Sequence, residues 1–341
     1  RVKELWPLFI EKAYAKVFGS YESLKGGNSH MALATFTGGF GECLFTQKNK
    51  GKIDAASGKM WKDMKKWHDQ KHLLACGTPG SSDSTFDDMG LTQSHAYGIL
   101  RVVEESDSNG THKLIQVLNP WAKAKGEWQG KWSDNDQKSW SRRMRQRLNY
   151  TPNKSRNDGR FYISYEDFIQ LFTEVYVCHR FTSDWTLYAM NAAWAEGSNG
   201  GFRNLPSCPQ FAFKIDRPTN VAICITQGGF NAGGLNGEAC VVFSLFGGSS
   251  FGGLPLRGRD ASSHKSRHVL IHSPYSSAAF HKMNMIEIRL TPDMGGPGGG
   301  FTISMGTQKK NRKLGFALKV YSDAKFSMPL TRLNPNRKEA A

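Results

Sequence analysis

No two cysteines stand at Cys-x-x-Cys spacing: the six present (Cys43, Cys76, Cys178, Cys208, Cys224 and Cys240) are scattered singly through 341 residues. That dispersal excludes a zinc cluster and a disulfide scaffold, and it reads as reduced thiols in an intracellular, cytoplasmic protein. No apolar run reaches the ~20 residues that cross a bilayer. The opening residues Arg1 to Ile10 read as the middle of a helix, with no initiating Met and no secretory leader, so the expectation is a fragment whose beginning lies upstream. Repeats and low-complexity segments are absent. The glycine run from Gly295 to Gly300 lacks the Lys and Ser/Thr of a phosphate loop and reads as a hairpin connection. Negative charge is scarce: 29 Asp and Glu stand against 45 Lys and Arg, a formal net charge of +16. The excess favours acidic partners such as an anionic membrane surface. It gives no specific nucleic-acid site, because the basic stretch Arg142 to Arg147 has no stacking aromatics beside it. Nothing in the pattern fixes an oligomeric state.

What is present suits two folded domains. Hydrophobic residues make up 39% of the chain, with 21 Phe, 10 Tyr and 9 Trp, enough for two cores. Leu5, Leu8, Phe9, Ala13 and Val17 recur at helical spacing and predict a helix ending near Gly19, and residues 54–70 predict a second. Strand-like runs follow at His72 to Cys76, Ala96 to Glu104 and Lys113 to Leu118, with polar loops at 77–93 and 105–112. A short basic helix (Arg142 to Asn149), a strand (Arg160 to Ser164), a helix (Tyr165 to Thr173) and a strand (Val175 to His179) complete an α+β region over residues 1–184. Residues 185–328 change character. Seven short β-prone runs separated by Gly, Ser and Asn turns predict an all-β sandwich there, and residues 329–341 read as a basic tail.

Two phrases carry the chemistry. Ser94-His95-Ala96-Tyr97-Gly98 and Leu118-Asn119-Pro120-Trp121 set a histidine and an asparagine in strand-like surroundings. They are two members of the Cys/His/Asn set with which thiol peptidases work: the imidazole takes the thiol proton, and the amide orients the ring without adding a charge that would overstabilise imidazolium. The third member has no convincing candidate. Cys43, in Gly41-Glu42-Cys43-Leu44-Phe45, is followed by the polar, Gly-interrupted stretch Thr46 to Lys52, whereas a nucleophilic thiol should open a helix whose dipole stabilises thiolate. Cys76, Cys178, Cys224 and Cys240 lie in apolar runs, where thiols are inert, and Cys208 lies in a loop.

With Leu5-Trp6-Pro7-Leu8, Glu11-Lys12-Ala13-Tyr14-Ala15-Lys16, Gly19-Ser20-Tyr21-Glu22, Phe36-Thr37-Gly38-Gly39 and Asp158-Gly159-Arg160-Phe161, these phrases resemble the calpain peptidase core from residue 1 to about 180. The resemblance implies a papain-like His/Asn half-core followed by a calpain-type sandwich, and a calcium-dependent intracellular cysteine endopeptidase acting on protein substrates. It implies His95 as general base, Asn119 as its orienting partner and Trp121 as the indole shielding the site. The family's nucleophile, in a Gln-x-x-x-Gly-x-Cys-Trp phrase, lies upstream of the matched part. Calcium is the cofactor the resemblance implies, with Glu127, Asp134 and Asp158 at acidic positions of one cation loop; Arg160 stands where a further acid belongs, and Ala34-Thr35 replaces an acid in the other half. Gly200 to Asn204 resembles the start of the family's sandwich, and Gly315 to Val320 its last strand. Between 201 and 320, five acids stand dispersed against fourteen Lys and Arg, which suits a brace or an anionic-membrane contact better than calcium-mediated lipid binding. A non-catalytic, scaffolding homologue is the competing expectation.

Overall fold

The computed structural model describes residues 4–46, 50–85, 87–121, 127–152, 158–194, 207–227, 241–247, 269–272, 283–296, 298–307 and 314–333. They fall into two compact units, one of residues 27–180 and one of residues 1–26 with 181–341. The expected boundary at 184/185 therefore moves to 180/181, and the first helix groups away from the peptidase-like region. The cause at the junction is aromatic packing: Phe181 stacks on Tyr321 at 3.9 Å and holds Trp185 at 5.2 Å, so these residues belong to the second unit. Helix α1 (Trp6–Phe18) starts with Pro7 in its first turn, where a missing N–H costs nothing, and leaves Leu5, Trp6, Leu8, Phe9, Ile10 and Val17 exposed.

In residues 27–180 the chain forms α2 (Ser29–Thr37), β1 (Phe40–Phe45), α3 (Lys50–Ala56), α4 (Lys59–Asp69), β2 (Leu73–Gly77), β3 (Ala96–Asp107), β4 (Gly110–Leu118), α5 (Arg142–Leu148), β5 (Arg160–Ser164), α6 (Tyr165–Leu171) and β6 (Glu174–His179). The six strands make one antiparallel sheet in the order β1-β6-β2-β3-β4-β5. Alternation along β4 and β5 serves two cores. Ile115, Val117, Phe161 and Ile163 join Met60, Trp61 and Met64 of α4 and Phe168 of α6, while Leu114 and Tyr162 face Trp132, Trp140, Met144 and Leu148. Each such buried side chain contributes about 1.5–3 kcal/mol of apolar transfer. Ser164 caps α6 by accepting the Asp167 N–H at 3.1 Å, and Ser141 caps α5 by accepting that of Met144 at 3.2 Å.

Two local expectations change. The polar loop predicted at 105–112 is mostly strand: Glu105 faces His112, and the Ser106 and Thr111 hydroxyls meet at 2.8 Å, leaving a two-residue turn between Asp107 and Gly110. The helix predicted over 54–70 divides into α3 and α4 around Gly58. Gly39 immediately precedes β1 and Gly41 lies within it. A Cβ at Gly39 would sit 2.3 Å from the His179 carbonyl oxygen and one at Gly41 would sit 2.3 Å from that of His30, so these glycines permit close backbone packing.

The second unit is the expected sandwich. It contains β7 (Thr186–Trp194), β8 (Gln210–Lys214), β9 (Thr219–Gln227), β10 (Val241–Gly247), β11 (Val269–His272), β12 (Met283–Leu290), β13 (Gly300–Thr307), β14 (Leu314–Ser322) and β15 (Met328–Leu333). Two sheets, β11-β10-β13-β8-β15 and β12-β9-β14-β7, enclose a core of Trp194, Phe211, Phe213, Phe243, Phe301 and Phe316. The run 295–300 is no hairpin, because β12 and β13 lie in different sheets and the chain crosses between them through a 3-10 turn at Pro292–Gly295. Nor does the tail begin at Pro329. The segment pairs with β8 as an edge strand and buries Leu330, so β15 rather than β14 is last; Pro329 is tolerated at an edge. Residues 334–341 and the phrase 200–204 lie outside the described residues.

Candidate active site

The β3–β4 hairpin explains why a histidine and an asparagine 24 residues apart can act together. His95 immediately precedes β3 and Asn119 immediately follows β4, and the pairing of Gly98 with Leu118 brings the two ends side by side. His95 Nε2 lies 3.0 Å from Asn119 Oδ1. A carbonyl oxygen only accepts, so the imidazole proton sits on Nε2 and Nδ1 presents its lone pair. Among the described residues Nδ1 has no hydrogen-bond partner.

Asn119 is a rigid support. It is fully buried, its N–H donates to the Gly159 carbonyl at 2.8 Å, and its Oδ1 takes a second hydrogen bond from the Trp121 N–H at 3.0 Å. Trp121 lies 4.3 Å from His95 between ring centroids and covers one face of the imidazole while remaining 41% exposed. Tyr97 packs edge-on against the ring at 4.9 Å, and its hydroxyl accepts the Thr92 N–H. The result is a half-open imidazole fixed in orientation and tautomer, with one nitrogen ready to take a proton.

The sequence model of the calpain family of cysteine proteases matches residues 1–179. The chain belongs to that family. Its calpain relatives include the calpain-type cysteine protease ADL1 of Oryza sativa subsp. japonica, 38% identical over 233 residues, 66% of this chain and 10% of that protein. The calpain-type cysteine protease DEK1 of Arabidopsis thaliana is 36% identical over 236 residues, 67% of this chain and 11% of that one. The calpain-2 catalytic subunit of Homo sapiens is 33% identical over 233 residues, 62% and 31% of the two chains. The chain thus spans 10 to 31% of the length of these relatives. Among solved structures, the clostridial cysteine protease Cwp84 aligns over 82% of this chain and 58% of its own with 12% identity, and its TM-score of 0.24 carries no argument about fold.

For a calpain-family site the missing partner is a thiol, and no described cysteine supplies it. Cys43 lies within β1 opposite Tyr176, not at a helix start. Cys76 is fully buried, and desolvation holds its thiol well above the usual range; burial raises Cys178 as well, with a contact to Thr37 Oγ1 at 3.4 Å. Cys208 and Cys224 are buried, and Cys240 lies outside the described residues.

The three acids expected in a calcium loop do come near one another electrostatically. Glu127 is 7% exposed, and burial, reinforced by the charges of Asp134 and Asp158, pushes its carboxyl up to about 7 against the opposing effect of the Gly159 N–H at 2.9 Å. Asp134 accepts the Tyr150 hydroxyl at 2.5 Å, and Asp158 accepts the Arg160 N–H at 3.0 Å. Tyr150 carried no signal in the sequence beyond being a loop aromatic. Each carboxylate is thus engaged by the protein. Among the described residues no group of three or more His, Cys, Asp or Glu side chains is disposed to hold a metal ion. In this arrangement the three carboxylates are turned to protein donors. What sequence spacing does not disclose is the backbone bridge: Gly159, at φ 77°, donates its N–H to Glu127 and offers its carbonyl to Asn119, tying the acidic loop to the amide that orients His95. Among the described residues no helix is long and apolar enough to cross a membrane.

Proposed function

We propose that this chain supplies the general base and its orienting amide to a calpain-type cysteine endopeptidase acting on proteins, with the nucleophilic thiol contributed by residues outside this sequence. The observation that carries the reading is the 3.0 Å contact between His95 Nε2 and Asn119 Oδ1, which puts the ring proton on Nε2 and leaves the Nδ1 lone pair able to take one. In the assembled site His95 Nδ1 takes the thiol proton and the thiolate adds to a peptide carbonyl. The imidazolium returns that proton to the leaving amine, and water, deprotonated by the same nitrogen, releases the acyl group. Asn119 keeps the ring in plane through both half-reactions, and Trp121 limits water access to the bond between them.

The test is peptide hydrolysis by this chain combined with a segment carrying the family's Gln-x-x-x-Gly-x-Cys phrase. Cleavage of a fluorogenic peptide that is abolished by thiol alkylation is the expected result; no cleavage by a verified, folded pair removes the reading. A scaffolding role for a parent without the nucleophile is the second reading, and a Ser, Lys or Gly in place of that cysteine would establish it.

Calcium enters no step of this mechanism. Glu127, Asp134 and Asp158 remain the proposed ligands should the loop be rearranged by the ion. With the loop as it stands, titrating calcium into the chain is expected to give no calorimetric heat beyond dilution and no rise in melting temperature. A melting shift of several degrees would show that the carboxylates exchange their protein donors for the cation.

A further inference from the structure

We infer that Thr78 is a positioning residue for His95, its hydroxyl holding the backbone of the general base where the β-ladder runs out; the inference rests on the peptidase reading of this site. The last ladder pair between β2 and β3 is Gly77 with Ala96. One residue further, Thr78 and His95 still face each other, and the Thr78 N–H donates to the His95 carbonyl at 3.1 Å. In an antiparallel pair of this kind the reciprocal bond would run from the His95 N–H to the Thr78 carbonyl. Instead that N–H donates to Thr78 Oγ1 at 3.1 Å.

The substitution of a side-chain acceptor for a backbone one follows from the turn. Ser94 sits at φ 46°, in the left-handed region, and its N–H donates to the Pro79 carbonyl at 2.9 Å, so the chain leaves the sheet plane just before His95. The Thr78 hydroxyl spans the resulting gap. Its one hydrogen points to the Thr92 carbonyl at 2.7 Å, with the His95 carbonyl a longer second acceptor at 3.2 Å, leaving a lone pair for the His95 N–H; Thr92 itself is fully buried and donates its own N–H to the Tyr97 hydroxyl. Residues 78 and 79 thereby clasp residues 94 and 95, and the Thr78 hydroxyl is the one side-chain group in the clasp. Thr78 does not touch the reacting atoms. It fixes the Cα from which the imidazole reaches Asn119.

The experiment uses the whole 341-residue chain labelled with 15N-histidine. The chain itself and Thr78→Ser should show a slowly exchanging His95 Nε2–H proton. Thr78→Val, of the same shape, should speed that exchange by about tenfold, the loss of roughly one hydrogen bond's worth of order. Where the thiol is supplied, Thr78→Val should lower kcat by about 10- to 100-fold with KM within about twofold, and Thr78→Ser should restore it. Wild-type ring-proton exchange in Thr78→Val overturns the inference and leaves the peptidase reading standing. Turnover that survives loss of His95 does the reverse. If Thr78→Val does not fold, the backbone amide of His95 in the unaltered chain decides: protection is expected, and exchange as fast as an exposed amide overturns the inference.

Discussion

His95→Ala should lower kcat of the assembled peptidase by at least about 10^4-fold while leaving the melting temperature within a few degrees of the parent. Removing one member of a nucleophile–base–orienter set forfeits nearly all of the gain the set provides, because a thiol without its base is mostly protonated and the leaving amine has no proton source. The small structural effect follows from position: His95 is only partly buried, and its ring sits against the exposed Trp121 rather than inside either core. Asn119→Ala should behave differently. It removes the acceptor for both His95 Nε2–H and the Trp121 N–H from a fully buried site, so turnover falls less, by about 100-fold, and stability falls more, by about 1–3 kcal/mol. Steady-state kinetics beside thermal melts separate the two patterns. Full turnover by His95→Ala would remove His95 as the base.

Glu127→Gln should stabilise the chain at pH 8 by up to about 3 kcal/mol and make no difference near pH 4. Burial, with Asp134 and Asp158 adding to it, raises the Glu127 carboxyl from 4.5 to about 7. The folded state therefore holds a proton that the unfolded state releases, and stability falls as pH rises between those two values; above 7 the whole cost of a buried charge is present, and below 4.5 both states are neutral. Glutamine keeps an oxygen for the Gly159 N–H and carries no charge, so it escapes the cost. Urea unfolding across this range reads the difference directly. Destabilisation of Glu127→Gln at pH 8 would mean that the carboxylate's bond to Gly159 outweighs its burial.

The parts of the fold that the sequence disclosed are those whose pattern is local. β3 and β4 are β-prone runs (Tyr97 to Val103 and Leu114 to Leu118) bounded by polar residues, α4 carries Met60, Trp61 and Met64 on one face, and the sandwich strands are short β-prone runs between turns. The His95 and Asn119 phrases were legible because each stands at the end of such a strand. What escaped depends on distant partners. β1 has no strand pattern of its own and is fixed by its pairing with β6, and β15 looks like a basic tail until β8 gives it a neighbour. Likewise the acids at 127, 134 and 158 could be named from the family pattern, but their engagement by Gly159, Tyr150 and Arg160 comes from loop conformations that spacing does not encode. Thr78 is the extreme case, an ordinary threonine after a strand whose hydroxyl matters only because Ser94 turns the chain away.

The two-residue turn between Asp107 and Gly110 also sets the order in which this region melts. It brings His95 to Asn119 by closing a 24-residue segment, whereas β1 reaches β6 only by closing one several times longer, as the 141-residue separation of Thr37 and Cys178 shows. Closure entropy grows as the logarithm of length, so the longer loop costs roughly 1.5 kcal/mol more to shut. Fraying of the sheet should therefore begin at the β1 edge, with the imidazole and the carboxamide still joined after that edge has opened.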